Sequence, residues 1–63
     1  MTDLNYREIE ILKLVSQGKS YSQIVKSVNL ALPTIKFYVR SAKDKLGATN
    51  SAHAVAIFIK TYF

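Results

Sequence analysis

Apolar residues return along the chain at intervals of three and four, with no sustained alternation. That is the period of helices packed by one face, and it excludes half-buried strands as the main element. In the first such stretch Ile11, Leu12 and Val15 form an inner stripe flanked by Leu14, predicting a helix over 6–16. Asn5 precedes it and Glu8 follows three residues later, so each residue can satisfy the other's free N–H in a capping box. Gly18 suits the left-handed turn that ends a helix. Ser20 and Gln23 repeat the capping signal before a short helix over 21–28, with Ile24, Val25 and Val28 inward. Asn29-Leu30-Ala31 predicts a turn. Pro33 fits the first turn of a third helix, where the missing N–H costs nothing. This helix spans 32–46 and stops at Gly47, and Ile35, Val39, Ala42 and Leu46 line one side of it. Thr49-Asn50-Ser51 supplies a third cap, before a helix over 51–61. The expected fold is all-α, a four-helix bundle-like single domain over 1–63. Its second and third helices, joined by a tight turn, form a helix-turn-helix.

The third helix carries Phe37, Arg40 and Ser41 on the side away from its core stripe, with Lys36 and Lys43 beside them. Cations, hydrogen-bonding groups and a ring on one exposed face suit a helix lying in the major groove of DNA. The fourth helix is apolar on two sides. Ala52, Val55, Ala56 and Ile59 make one stripe, and Ala54, Ile57 and Phe58 make another roughly opposite. A helix of that kind in a small protein buries both sides. One side packs on the domain. Ala54, Ile57 and Phe58 are assigned to the other, covered either by a second copy in a dimer or by a further domain of a longer protein.

Size and charge narrow the partner. Sixty-three residues form one small domain with a modest core. There is no cysteine, which removes disulfides and the usual zinc sites. A hydrophobic content of 49% argues for a folded chain. The apolar runs are too short to span a bilayer, and Met1-Thr2-Asp3-Leu4 lacks the features of a signal peptide, so the expected location is cytoplasmic. Nine Lys or Arg stand against four Asp or Glu, a net charge of +5, and Asp44 is the only acid beyond Glu10. The chain from Gly18 onward is basic and favours polyanions, nucleic acid first and an anionic membrane surface second. The many helix caps point to a compact fold and away from a membrane-surface peptide. His53 is the only histidine, and its helical neighbours offer no metal ligands. No nucleophile–base pair, glycine-rich phosphate loop or paired carboxylate site is present, and so small a chain can hardly enclose a pocket. Neither an enzyme nor a cofactor is expected.

Several short motifs in order resemble the LuxR-type helix-turn-helix domain found at the C-terminus of bacterial transcription regulators. The resemblance runs from Leu4 to Ala56. Leu4-Asn5-Tyr6-Arg7-Glu8 is similar to the family's Leu-Thr-x-Arg-Glu, and Gly18-Lys19-Ser20 to its Gly-x-Ser. Thr34-Ile35-Lys36 and Lys45-Leu46-Gly47 match the start and end of its recognition helix. Lys36-Phe37-Tyr38 and Ala48-Thr49-Asn50, followed by His53-Ala54-Val55, look most like the quorum-sensing members. The fourth region of bacterial sigma factors shares the helix-turn-helix and an opening like Ser20-Tyr21, but the fourth helix after Gly47 favours the LuxR type. The chain departs from the family at Gln23-Ile24-Val25, at Tyr38 in place of a frequent His, at Ser51 in place of a frequent Arg or Lys, and at Ala31, where relatives often have a capping Ser.

The resemblance implies double-stranded DNA as partner, with Lys36, Phe37 and Arg40 at base edges or nearby phosphates. It also implies a homodimer through the last helix, matching two-fold symmetric sites; RNA polymerase is a further candidate partner, and the doubly apolar fourth helix with the departures at Ala31 and Ser51 adds a full-length regulator. The residues agree with this reading. Arg40 can donate two hydrogen bonds to guanine, and Phe37, nearly opposite Ile35, can meet a thymine methyl. Ser20 and Thr34, at helix N-termini, suit phosphate oxygens as well as capping. Tyr21, Lys43 and Lys45 are further phosphate candidates, with pairing to a carboxylate such as Glu8 the alternative for Lys45. The second functional reading is a protein-interaction module that pairs with a full-length regulator without strong DNA binding of its own.

Overall fold

The computed structural model describes residues 4–62. Met1, Thr2 and Asp3 of the N-terminal stretch named above lie outside them. The described residues form four helices and no strand: α1 (Tyr6–Ser16), α2 (Tyr21–Val28), α3 (Leu32–Leu46) and α4 (Ser51–Tyr62). The first three coincide with the predicted spans, and α4 continues to Tyr62.

Local chemistry sets these limits. The Asn5 side chain accepts from the Glu8 N–H at 2.9 Å, and the Asn5 N–H donates to Glu8 Oε1 at 2.9 Å. Ser20 and Gln23 exchange the same pair of bonds at 3.3 and 2.9 Å. Asn29 ends α2 in the left-handed region, φ 56° and ψ 44°, which asparagine tolerates better than most residues. Gly47 ends α3 at φ 68°, and the Ala48 N–H returns to the Lys43 carbonyl at 3.0 Å, satisfying an otherwise orphaned acceptor. Ala31 stands at the N-cap of α3 with no side-chain bond to the helix. Asn50 is the cap of α4, accepting from the His53 N–H at 2.9 Å. His53 Nδ1 in turn accepts from the Thr49 N–H at 3.1 Å. The imidazole thus holds the residue before the cap, whereas Glu8 and Gln23 accept from the N–H of the cap residue itself.

Two clusters make the core. Ile11, Ile24, Val28, Ile35 and Val39 join α1, α2 and α3. Leu4, Leu12, Ala42 and Phe58 join α1, α3 and α4. Helix α3 belongs to both, so its inner stripe is held along its length and its outer face is left to solvent. Leu46, expected inside, is only partly buried against the second cluster.

The expectation for α4 is corrected here. Ala54 and Phe58 are 0% and 1% exposed, so neither is available to a second copy. The Phe58 ring fills the second core cluster beside Leu12 and Ala42 and lies 5.1 Å from the Tyr62 ring. Burying the largest apolar side chain of the helix is the most favourable rotation. It leaves Ala52, Ala56 and Ile59 on the solvent side, with Ile57 and Val55 half-buried between. No helix among the described residues is long and apolar enough to cross a membrane.

Candidate nucleic-acid interface

The outer face of α3 gathers Pro33, Lys36, Phe37 and Arg40 around one open depression of about 290 Å³. All four are exposed, and Phe37 is 63% exposed. The Phe37 ring meets Tyr38 edge-on, with centroids 5.7 Å apart, and Tyr38 itself packs on the first core cluster. The exposed ring is thereby braced by a residue tied to the fold. No acidic side chain lines the depression.

Helix N-termini contribute too. Neither α2 nor α3 has an acidic residue in its first turn, so the partial positive charge of each helix start stays uncompensated by the chain. Thr34 lies half-buried in the first turn of α3, and Tyr21 is 37% exposed at the first position of α2. The Ser20 hydroxyl accepts the Gln23 N–H and so is engaged as a cap. Lys43 is half-buried on α3.

Two side chains of α3 bond to Glu8. Ser41, expected on the groove side, donates its hydroxyl to Glu8 Oε2 at 2.5 Å. Lys45 Nζ is 2.9 Å from Glu8 Oε1, the pairing named as the alternative to a phosphate contact, and its side chain remains 38% exposed. Both side chains serve Glu8, a buried carboxylate, 1% exposed, whose charge would be costly if left unpaired. Burial raises the Glu8 pKa, but hydrogen bonds from Ser41, the Asn5 N–H and Lys45, together with the Lys45 charge, outweigh it and leave the carboxyl below its ordinary value.

The sequence predicts Glu8 as a cap and as one possible partner for Lys45, but not as buried or bonded to Ser41. One signal of its burial was available, since Glu8 falls four residues after Leu4 and four before Leu12, on the stripe those leucines bury. Glu8 therefore clamps α1 to the later turns of α3 and fixes which side of α3 faces outward.

The amino-acid sequence matches known proteins. The family described as bacterial regulatory proteins, luxR family, matches residues 2–58. The transcriptional activator protein CarR of Pectobacterium carotovorum subsp. carotovorum is 36% identical over 52 residues, 82% of this chain and 21% of that protein. The transcriptional activator protein EsaR of Pantoea stewartii subsp. stewartii is 30% identical over 59 residues, 94% of this chain and 24% of that protein. The transcriptional activator protein BjaR1 of Bradyrhizobium diazoefficiens is 39% identical over 59 residues, again 94% and 24%. The chain spans about a fifth to a quarter of the length of these relatives.

Proposed function

The chain belongs to the luxR family of bacterial regulatory proteins, and from that membership we propose that it binds double-stranded DNA as the reading head of a transcription regulator. Helix α3 lies in the major groove, with Lys36, Phe37 and Arg40 toward base edges. The observation that carries this reading is the open depression those three residues share with Pro33, free of acidic lining. Thr34, Ser20 and Tyr21, at the starts of α3 and α2, and Lys43 anchor phosphates. The net charge of +5 supports association with a polyanion. The protein acts in the cytoplasm, as a regulator of the quorum-sensing type. Two copies pair through the solvent side of α4, built on Ala52, Ala56 and Ile59, and read a two-fold symmetric site.

Selection of bound sequences from random duplex DNA, followed by titration of the selected duplex at increasing salt, tests the reading. Affinity falls steeply and log-linearly with salt. Salt-independent binding, or no binding to any duplex at low salt, would sink it.

A second reading is favoured by the apolar solvent side of α4, where Ile59 is 44% exposed. In it the chain is chiefly an interaction module that pairs with a full-length regulator. Strong, sequence-selective binding by the pure chain would exclude that alternative.

A further inference from the structure

Two pairs of side chains line the depression on α3, each pair one helical turn apart: Pro33 with Phe37, and Lys36 with Arg40. Residues four apart are neighbours on a helix surface. The depression thus has an apolar wall and a cationic wall running along the same helix. The cationic wall alone would serve any polyanion. The apolar wall needs a separate reason, because Phe37 is 63% exposed and its edge-on contact with Tyr38 holds the ring in place without burying it. A ligand that fits both walls offers a hydrophobic group beside hydrogen-bond acceptors. In the major groove the hydrophobic group is the 5-methyl of a pyrimidine, and the paired acceptors are O6 and N7 of guanine. Phe37 and Arg40 are three residues apart, about 4.5 Å of helix rise. Base pairs are stacked about 3.4 Å apart, so in a helix that runs along the groove the two side chains sit about one base-pair step apart.

We propose that Pro33 and Phe37 form a subsite for the 5-methyl group of a pyrimidine whose base pair neighbours the guanine held by Arg40. The proposal rests on the groove reading of α3. Thymine and 5-methylcytosine both present this methyl, and binding at the subsite makes the chain sensitive to the methyl itself as well as to base identity. Burial of one methyl group corresponds to about a fourfold gain in affinity.

The test uses the full chain and duplexes selected by it from a random pool. Methylation of guanine N7 locates the guanine at which binding is blocked. The adjacent pyrimidine positions are then synthesised as thymine, uracil, cytosine and 5-methylcytosine. At one of them thymine binds about fourfold better than uracil if thymine is the natural source, and 5-methylcytosine outbinds cytosine by a similar factor if methylated DNA is. Phe37→Ala erases the methyl difference while the N7 block persists, and Phe37→Leu retains part of it. Equal binding with and without the methyl at every position flanking that guanine overturns the proposal, as does a methyl difference that survives Phe37→Ala. Absence of binding to any duplex at low salt overturns the groove reading itself, and is told apart from the other outcomes by that first titration.

Discussion

Glu8 shows how one residue can serve two structural levels. Its Oε1 completes the cap of α1 and receives Lys45, and its Oε2 receives Ser41. The folded carboxyl titrates below its ordinary value of 4.5. A depressed carboxylate contributes stability that is fully present above the unfolded pKa and is lost as pH falls through the folded one. Unfolding of the wild-type chain, followed by circular dichroism from pH 7 downward, should therefore show stability falling in that acid window. In Glu8→Gln this part of the slope is missing. An unchanged acid slope in the variant would show that Glu8 is not the group responsible. The capping role of Glu8 is legible in the sequence because its partner is three residues away. Its pairing with Lys45 stands in the sequence as one of two readings of that lysine, but the choice between them and the bond from Ser41 do not, because Ser41 and Lys45 lie 33 and 37 residues downstream and only the packing of α1 on α3 brings them together.

Among the helices, the boundaries of α1, α2 and α3 are legible for a related reason: Asn5, Ser20, Asn29 and Gly47 act through bonds to residues within a turn. The rotation of α4 is not legible in that way. Both of its stripes are apolar, so periodicity gives no preference, and the choice falls to the fit of the Phe58 ring between α1 and α3. Phe58→Ala should cost about 3–5 kcal/mol, enough to bring a domain of this size close to unfolding. A loss well under 1 kcal/mol in a denaturant titration would contradict that packing. The start of α3 offers the opposite test. Ala31 makes no side-chain cap bond, so Ala31→Ser should raise stability by about 1 kcal/mol, seen as a rise in Tm of about 4–8 °C for a domain this small. No rise would mean that the serine cannot reach the free N–H groups of α3.

For the whole molecule, the division of labour follows from α3 lying in both core clusters. Its inner stripe is used up by the fold, and its outer face presents Lys36, Phe37 and Arg40 together. Their placement is legible in the sequence because Phe37 and Arg40 fall on the side away from Ile35, Val39 and Ala42. The apolar side that α4 leaves to solvent depends instead on the rotation of that helix, and is built on Ala52, Ala56 and Ile59 and not on Ala54 and Phe58, which makes it the surface for the proposed pairing of two copies. Ile59→Lys should accordingly shift the pure chain toward monomer on gel filtration while leaving its helicity intact. An elution volume unchanged from a dimeric wild type would place the contact elsewhere.

The central claim, that the outer face of α3 reads DNA sequence, is tested most directly by titrating wild-type chain and Arg40→Ala against a selected duplex and a random one in the same salt. Loss of the guanidinium should weaken binding to the selected duplex by about 1–3 kcal/mol and relax the preference at one base pair, with a much smaller effect on the random duplex. Equal losses on both duplexes, or none on either, would contradict it.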